Sequence, residues 1–346
     1  MKKILAILLA AVMLLALAAC GTTNDTTTEP PAATDPVETE PAATEPADDD
    51  TTGETYVVGI CQQMTHVALD AATEGFKAAL TDILGEGAVT YEEGNAGGDQ
   101  NNCVTIVDGL VSEGVDLILA NATWPLQAAA SATGDIPILG TSITDYATAL
   151  NLDGWTGTVG NNISGTSDLA PLDQQAEMIQ ELFPDAENIG LLYCSGEANS
   201  VYQIETIRGY LEDMGYTCEA YAFTDVNDLS SVTQTACDNS DVIYIPTDNT
   251  AAGNTETIAN IVLAAGVPVV AGERGICSGC GVATLSIDYY ELGYTTGEMA
   301  AKILTGEADV TTMAVEYAPN VTKMYNAANC EALGLTMPED YVAIEG

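Results

Sequence analysis

Short apolar runs alternate with amphipathic segments along most of the chain, and the same order of runs occurs twice. The runs lie in VVGICQQMTH (57–66), VDLILANAT (115–123) and IPILGTSIT (136–144), then in NIGLLYCSGEANS (188–200), DVIYIPTDNT (241–250) and VPVVAGERG (267–275). Each run ends in small and polar residues, and a segment with helical periodicity follows almost every one. Buried parallel strands covered on both faces by helices have this pattern. We therefore predict an α/β fold with two doubly wound parallel-sheet lobes.

The polar clusters after these runs predict where a ligand binds, because doubly wound sheets bind ligands at the carboxyl ends of their strands. The helix after His66 would direct free backbone N–H groups toward these ends, which suits a carboxylate. An Asp or Glu on the other lobe suits an ammonium group, and Asp248 or Glu273 is the predicted partner. The predicted ligand-binding residues are Gln62, Thr65, His66, Asn121, Thr123, Trp124, Thr141, Ser142, Asp145, Glu197, Asn199, Ser200, Asp248, Asn249 and Glu273.

Each of these residues also has a purely structural interpretation. Ser, Thr, Asn and Asp are favoured N-caps wherever a strand turns into a helix, so any single residue could cap a helix instead of contacting a ligand. Trp124 could equally be an aromatic wall of the cleft or a packing residue between the lobes. The prediction depends on six loops converging on one crevice.

The N-terminus has the pattern of an export signal. Lys2 and Lys3 precede an uncharged apolar run over residues 4–19, which is shorter than the roughly 20 residues of a membrane span. The run ends in Leu-Ala-Ala-Cys-Gly, a lipobox in which the Cys20 thiol would receive a diacylglyceryl group. We predict a signal peptide over 1–19 and a lipidated Cys20 that anchors the protein outside the cytoplasm. An ordinary secretory signal that contains a cysteine is the alternative.

The segment that follows is predicted to be a disordered acidic tether. Residues 20–54 consist almost entirely of Thr, Pro, Ala, Glu and Asp, with Val37 as the one larger aliphatic residue. Such a composition buries too little apolar surface to offset the entropy of the chain. The tether would hold a soluble body near the membrane without fixing its orientation.

The charge balance restricts the class of ligand. The chain has 7 Lys and Arg against 51 Asp and Glu, a formal net charge of −44. A surface this negative repels nucleic acid, anionic lipid and phosphorylated ligands. No arginine cluster can be assembled for a phosphate or dicarboxylate. A neutral, zwitterionic or cationic small molecule is favoured, although the acidity could also reflect solubility or habitat.

The sequence contains no recognisable catalytic motif. His66 is the single histidine, and no GxSxG, P-loop or GxGxxG sequence occurs, so we expect neither an enzyme, a metal site nor a cofactor. Eight cysteines follow Cys20. Cys277-Ser278-Gly279-Cys280 is a lone CxxC in a Gly-rich turn that does not begin a helix, which favours a local disulfide or free thiols over redox catalysis. The pairing of the cysteines is left open.

Several longer segments resemble one family of proteins. THVALDAATEGFKAAL (65–80), GNAGGDQNN (94–102), SGEANS (195–200), PTDNT (246–250) and DYYELGYTTGEMAAKIL (288–304) look like the lipoprotein substrate-binding components of ABC importers whose characterised members bind tryptophan, tyrosine or phenylalanine. The similarity runs from about Tyr56 to Tyr341. Two segments, 151–160 and 272–280, depart from the family's pattern, as does His66-Val67 where His-Pro is usual. The ligand's identity therefore stays open.

The resemblance implies the type 1 periplasmic-binding fold and uptake of an aromatic or related amino acid. The implied partners are a membrane permease and its cytoplasmic ATPase, and we expect a monomer that binds no nucleic acid. We predict lobe 1 over 55–166 plus 287–316 and lobe 2 over 167–286 plus 317–346. Three hinge strands would cross near 164–168, 285–288 and 315–319, and the lobes would close on the ligand.

Two other interpretations remain. A partner protein that reports ligand binding to a membrane receptor would use the same fold and cleft. A nucleoside or sugar binder of the same fold would need stacking aromatic rings on both sides of the cleft, for which Trp124, Tyr146, Tyr202 and Tyr289 are the candidates.

Overall fold

The computed structural model describes residues 55–318 and 320–345. The predicted signal peptide, Cys20 and the predicted tether lie outside the described residues, and their assignments stay predictions. In the described part of the chain, none of the helices combines the length and the apolar character of a membrane span.

Strands and helices alternate along the whole described chain. The first part contains β1 (Tyr56–Gln62), α1 (Val67–Leu84), β2 (Val89–Asn95), α2 (Gln100–Glu113), β3 (Leu117–Asn121), α3 (Thr123–Ala132), β4 (Ile138–Ile143), α4 (Tyr146–Leu150) and β5 (Ile163–Ser167). The second contains α5 (Leu172–Leu182), β6 (Asn188–Cys194), α6 (Ala198–Asp213), β7 (Thr217–Phe223), α7 (Val226–Asn239), β8 (Val242–Ile245), α8 (Asn249–Ala252), α9 (Thr255–Ala265), β9 (Val269–Ala271), α10 (Arg274–Gly279) and β10 (Ala283–Ser286). The last contains α11 (Tyr289–Leu304), a 3₁₀ turn (Val310–Thr312), β11 (Glu316–Tyr317), β12 (Thr322–Tyr325), α12 (Ala327–Leu333) and β13 (Val342–Ala343).

The strands form two sheets, which confirms the predicted α/β class with two lobes. The first sheet has the order β11-β5-β4-β3-β1-β2, and all its pairs are parallel. The second has the order β13-β12-β10-β9-β8-β6-β7, and its one antiparallel pair is β10 with β12. All six apolar runs form strands. The edge strands β2 and β7 lie outside those runs because they are largely exposed.

The chain passes between the two sheets three times. It leaves the first sheet after β5, returns after β10 through α11, and passes from β11 to β12. Helix α11 packs closely on α1, because glycines replace side chains at the crossing. A Cβ atom on Gly293 would lie 1.9 Å from the Ala72 carbonyl oxygen, and one on Gly75 would lie 2.0 Å from the Tyr290 carbonyl oxygen.

The CxxC segment differs from its predicted turn. Cys277 lies within helix α10, and Cys280 is the residue that ends it. The Glu273 side chain begins this helix by accepting hydrogen bonds from the backbone N–H groups of Gly275 and Ile276, which supports a helical turn despite two glycines. All eight described cysteines are free thiols.

Candidate ligand-binding site

A narrow cavity lies where the carboxyl ends of the two sheets face each other, with about 10 Å³ of open space inside it. Pockets that hold small ligands have volumes of roughly 300–1,000 Å³, so the lobes or the lining side chains must move apart before a small metabolite can enter. Six of the predicted residues line it: His66, Ser142, Asn199, Asp248, Asn249 and Glu273. The other polar side chains that line it are Thr144, Asp168, Thr247 and Tyr289, of which Tyr289 was predicted only as a stacking ring.

Buried polar atoms without a hydrogen-bond partner concentrate at this cavity. Among the described residues, His66 Nδ1, Ser142 Oγ, Asp168 Oδ1 and Asn199 Oδ1 are all buried and unpaired, and all four residues line the cavity. Burying an unsatisfied polar group costs about 1–3 kcal/mol, and more when the group is charged. Four such atoms around one space indicate that they serve a molecule that enters it.

The backbone beside the cavity adds unpaired donors and local strain. The first N–H groups of a helix have no partner within the helix, and the His66 side chain makes no capping bond at the start of α1. Ala68 and Leu69, in the first turn of α1, line the cavity. Ser142 has a φ of 56° at a register shift between β4 and β5, a left-handed conformation that few residues other than glycine adopt.

Asp168 is the most perturbed acidic group that faces the cavity with an open oxygen. It follows β5 directly, in the segment that leaves the first sheet, and is 4 % exposed. Burial raises the pKa of Asp168 to about 6, and a hydrogen bond of 2.9 Å from the Tyr289 hydroxyl to Oδ2 opposes that shift. Oδ1 is left free. The sequence signal for this residue was its position at a predicted hinge.

The two predicted ammonium partners are already engaged by the protein. Asp248 begins α8: its Oδ1 accepts from Ala251 N–H at 2.8 Å, and its Oδ2 accepts from Cys194 N–H at 2.6 Å and Ser200 Oγ at 2.8 Å. Burial and the nearby Glu197 carboxylate raise the pKa of Asp248 to about 7. Burial also raises the pKa of Glu273, whose two oxygens accept from backbone N–H groups of α10. The carboxyl groups of Asp248 and Glu273 therefore hold the starts of helices α8 and α10 in place.

Five predicted residues of the first sheet stand behind the cavity without lining it. Gln62 bonds Asp70 and Thr73, and Asn121 donates to the Leu69 carbonyl, so both fix α1 on the sheet. Thr65 accepts a hydrogen bond from the Asn95 side chain, and Thr123 is buried in the first turn of α3. The Thr141 hydroxyl bonds the hydroxyls of Thr166 and Thr296.

Four further predicted residues also have structural roles. Asp145 caps α4 by accepting from Thr148 N–H at 2.7 Å. Glu197 is fully buried and accepts from the N–H and side chain of both Asn249 and Thr250, which holds the start of α8. The other two are Ser200, which donates to Asp248, and Trp124, whose Nε1 donates to the Gly196 carbonyl at 3.3 Å. This bond joins Trp124, at the start of α3, to the loop that follows β6 in the other sheet.

Hydrogen bonds cross directly from one sheet's loops to the other's at the cavity. His66 Nε2 lies 3.1 Å from Asn249 Oδ1, and Thr144 Oγ1 lies 3.3 Å from Thr247 Oγ1. The Asn249 amide nitrogen donates to Glu197, so its oxygen faces the imidazole and accepts from an Nε2–H. Nδ1 is then the imidazole atom that remains for a ligand.

Residues 57–344 match the family described as ABC transporter substrate binding protein. A tyrosine-binding protein of Clostridioides difficile is 32% identical over 72% of this chain and 73% of its own length. The chain belongs to this family. Substrate-binding proteins of ABC transporters act outside the cytoplasm, and these homologues are binding proteins and not enzymes.

Two solved structures show the type 1 periplasmic-binding fold of the family. An ABC domain of Streptococcus pneumoniae in complex with L-Trp is 32% identical, covers 83% of this chain and 97% of its own, and has a TM-score of 0.79. An open, ligand-free substrate-binding protein with adhesive properties from Clostridium difficile is 33% identical, covers 84% and 99%, and has a TM-score of 0.65.

Proposed function

We propose that this protein is a lipid-anchored, monomeric substrate-binding component of an ABC importer that captures an aromatic amino acid between its lobes. The single observation that carries the proposal is the set of unpaired buried polar atoms around the cavity. A ligand with both an ammonium and a carboxylate group would satisfy them, because three of the four atoms accept hydrogen bonds and the Ser142 hydroxyl can donate one.

The carboxylate is assigned to the first turn of α1. Ala68 and Leu69 line the cavity at the positive end of an 18-residue helix, where the first N–H groups have no partner within the helix. The Ser142 hydroxyl, which lacks a partner, adds a third donor on the same lobe. This assignment retains the interpretation of the α1 N-terminus made from sequence.

The ammonium group is assigned to Asp168 Oδ1. Asp168 is buried and its Oδ1 has no hydrogen-bond partner, so its negative charge is costly in the ligand-free protein. An ammonium group bound at Oδ1 would offset this cost. Asp248 and Glu273 are weaker candidates because backbone N–H groups already occupy their oxygens. Asn199 Oδ1, also unpaired, can accept a second ammonium hydrogen.

The aromatic class is supported by the relatives, one named for tyrosine and one bound to L-Trp. Stacking of a sugar or nucleoside between two rings is disfavoured. Of the four candidate rings, Tyr289 lines the cavity, whereas Tyr146 is buried against Trp155 and Trp124 bonds the opposite lobe. Leu69, Ala252 and Tyr289 supply the apolar wall for the ligand's side chain.

Closure of the lobes is supported by two observations. At nearly equal identity, the chain superimposes better on the L-Trp complex than on the open, ligand-free relative, with TM-scores of 0.79 and 0.65. The bonds between His66 and Asn249 and between Thr144 and Thr247 require the lobes to be close. A ligand that touches both lobes favours this arrangement by its differential affinity for it.

A thermal-shift and calorimetry panel tests the function. L-Tyr, L-Trp and L-Phe should raise the melting temperature, since a ligand that binds only the folded state stabilises it by mass action. Tyramine, which lacks the carboxylate, and 3-(4-hydroxyphenyl)propionate, which lacks the ammonium group, should not. Equal shifts with nucleosides or sugars, or no shift with any amino acid, would reject the proposal.

The anchor has its own test. Metabolic labelling with an alkyne fatty acid should label the full chain, and Cys20→Ser should abolish the label and release the protein into the medium. A labelled Cys20→Ser protein would exclude lipidation at Cys20.

A further inference from the structure

Cys61 and Cys103 form a buried thiol pair behind the binding loop. Cys61 lies in β1 and Cys103 in the first turn of α2, both are fully buried, and both belong to the same apolar core. The Cys61 Sγ lies 4.0 Å from the Cys103 carbonyl oxygen. The proximity of the two thiols raises the pKa of Cys61 and lowers the pKa of Cys103.

Other described cysteines have different surroundings. The thiols of Cys194, Cys280 and Cys330 donate to backbone carbonyls of residues other than cysteine, namely Thr224, Ile276 and Val282. Cys218 is half-buried on the edge strand β7. Of the eight cysteines that the structure describes, Cys61 is the one whose thiol reaches the backbone carbonyl of another cysteine.

We propose that Cys61 and Cys103 form a disulfide outside the cytoplasm. An exported chain encounters oxidised thiol–disulfide exchange partners there, which is the setting in which structural disulfides form. The oxidant is the disulfide of a thiol–disulfide oxidoreductase or of a small thiol. It is reduced to two thiols as the cysteine pair is oxidised.

The exchange proceeds in two balanced steps. The Cys103 thiolate attacks one sulfur of the donor disulfide, the donor S–S bond breaks, and the first donor thiol leaves with the Cys103 proton. The Cys61 thiolate then attacks the Cys103 sulfur, and the second donor thiol leaves with the Cys61 proton. Because both thiols are fully buried in the folded protein, the exchange takes place before α2 packs on β1.

The cross-link would stabilise the lobe and the loop that carries His66. It joins positions 42 residues apart, which restricts the unfolded chain, and it attaches α2 to the residue directly before Gln62. We expect reduction to lower the melting temperature by roughly 5–10 °C.

Peptide mapping of the exported full chain tests the disulfide. Thiols are alkylated during unfolding without reductant, and a linked peptide pair that contains Cys61 and Cys103 is expected in the wild type and in the control Cys218→Ser. The pair should be absent in Cys103→Ser, and a reductant should lower the melting temperature of the first two proteins only.

Two outcomes would overturn the assignment. One is alkylation of both Cys61 and Cys103 in the exported protein and after refolding with oxidised glutathione. The other is a disulfide that pairs either of them with a different cysteine. If Cys103→Ser does not fold, the map of the wild-type chain decides alone. Neither outcome bears on the binding panel, since that panel reports the cavity.

Discussion

Replacing Asp168 by asparagine should have opposite effects on ligand affinity and on the stability of the ligand-free protein. Asparagine has nearly the same shape, and its amide oxygen can still accept the 2.9 Å bond from the Tyr289 hydroxyl. The substitution removes the negative charge and directs an NH₂ group toward the ammonium of the ligand. Packing around the hinge is preserved, so the change isolates the charge.

The magnitude of the affinity loss follows from the burial of the carboxylate. Removing one partner of a buried charge pair costs about 2–5 kcal/mol, which corresponds to a roughly 30- to 5,000-fold rise in Kd. Asp168 is 4 % exposed, so little water screens the pair, and we expect a value within this range and not the smaller effect of a surface pair.

The stability of the ligand-free protein should change in the other direction. The pKa of Asp168 is raised from its ordinary value of 3.8 to about 6, so the ionised form destabilises the folded state. The penalty is complete above pH 6 and disappears as the pH falls through 6 toward 4. At pH 7 it is on the order of 3 kcal/mol, and Asp168→Asn should remove most of it.

Calorimetry with L-Tyr and thermal melts at pH 7 measure both quantities. Asp145→Asn is the matched control, because Asp145 caps α4 and does not line the cavity, and its Kd should stay within about twofold of the wild type. An unchanged Kd for Asp168→Asn would refute the assignment of the ammonium group. A lower melting temperature together with retained affinity would mean that Asp168 acts only as a structural hinge residue.

Three further predictions follow from named contacts. His66→Ala removes the 3.1 Å bond to Asn249 across the cleft and should raise the Kd for the ligand about five- to tenfold. Scattering should also show that the ligand compacts this variant less than it compacts the wild type. Unchanged compaction would mean that this contact does not contribute to closure. Ligand affinity should fall about tenfold per pH unit below pH 6 as Asp168 protonates, and a profile just as steep in Asp168→Asn would assign the effect to another group. Gly293→Ala should destabilise the protein by about 1–3 kcal/mol in denaturant melts, because the new Cβ meets the Ala72 carbonyl oxygen. The control Gly209→Ala, in open space within α6, should stabilise the protein by about 0.5–1 kcal/mol. Equal effects of the two substitutions would contradict the close α1–α11 packing.

Six of the ten polar residues that line the cavity could be predicted from local sequence. His66, Ser142, Asn199, Asp248, Asn249 and Glu273 all follow apolar runs directly, so strand direction alone brings them to one edge. Asp168 also follows a strand, but the segment 164–168 was predicted as a hinge strand between the lobes and not as part of the ligand site. Tyr289 lies in the first turn of α11, and nothing local distinguishes it from a core tyrosine.

Residue type could not separate ligand contacts from supporting residues. Glu197 and Ser200 have the same chemistry as their neighbours, yet their oxygens are used to hold α8 and Asp248. Whether a carboxylate is open or occupied depends on backbone N–H groups from elements more than 40 residues away, as for Asp248 and Cys194. Such pairings have no periodicity in the chain.

Local sequence determined the alternating strands and helices, the two-lobed α/β class and the edge at which a ligand binds, because the apolar periodicity and strand direction are properties of neighbouring residues. Tertiary structure alone decided which polar atoms remain unpaired in the cavity, that Trp124 bonds the opposite lobe, and that Asp168 keeps an open oxygen. Those outcomes depend on hydrogen bonds between segments far apart in the chain, which form only when both lobes are packed.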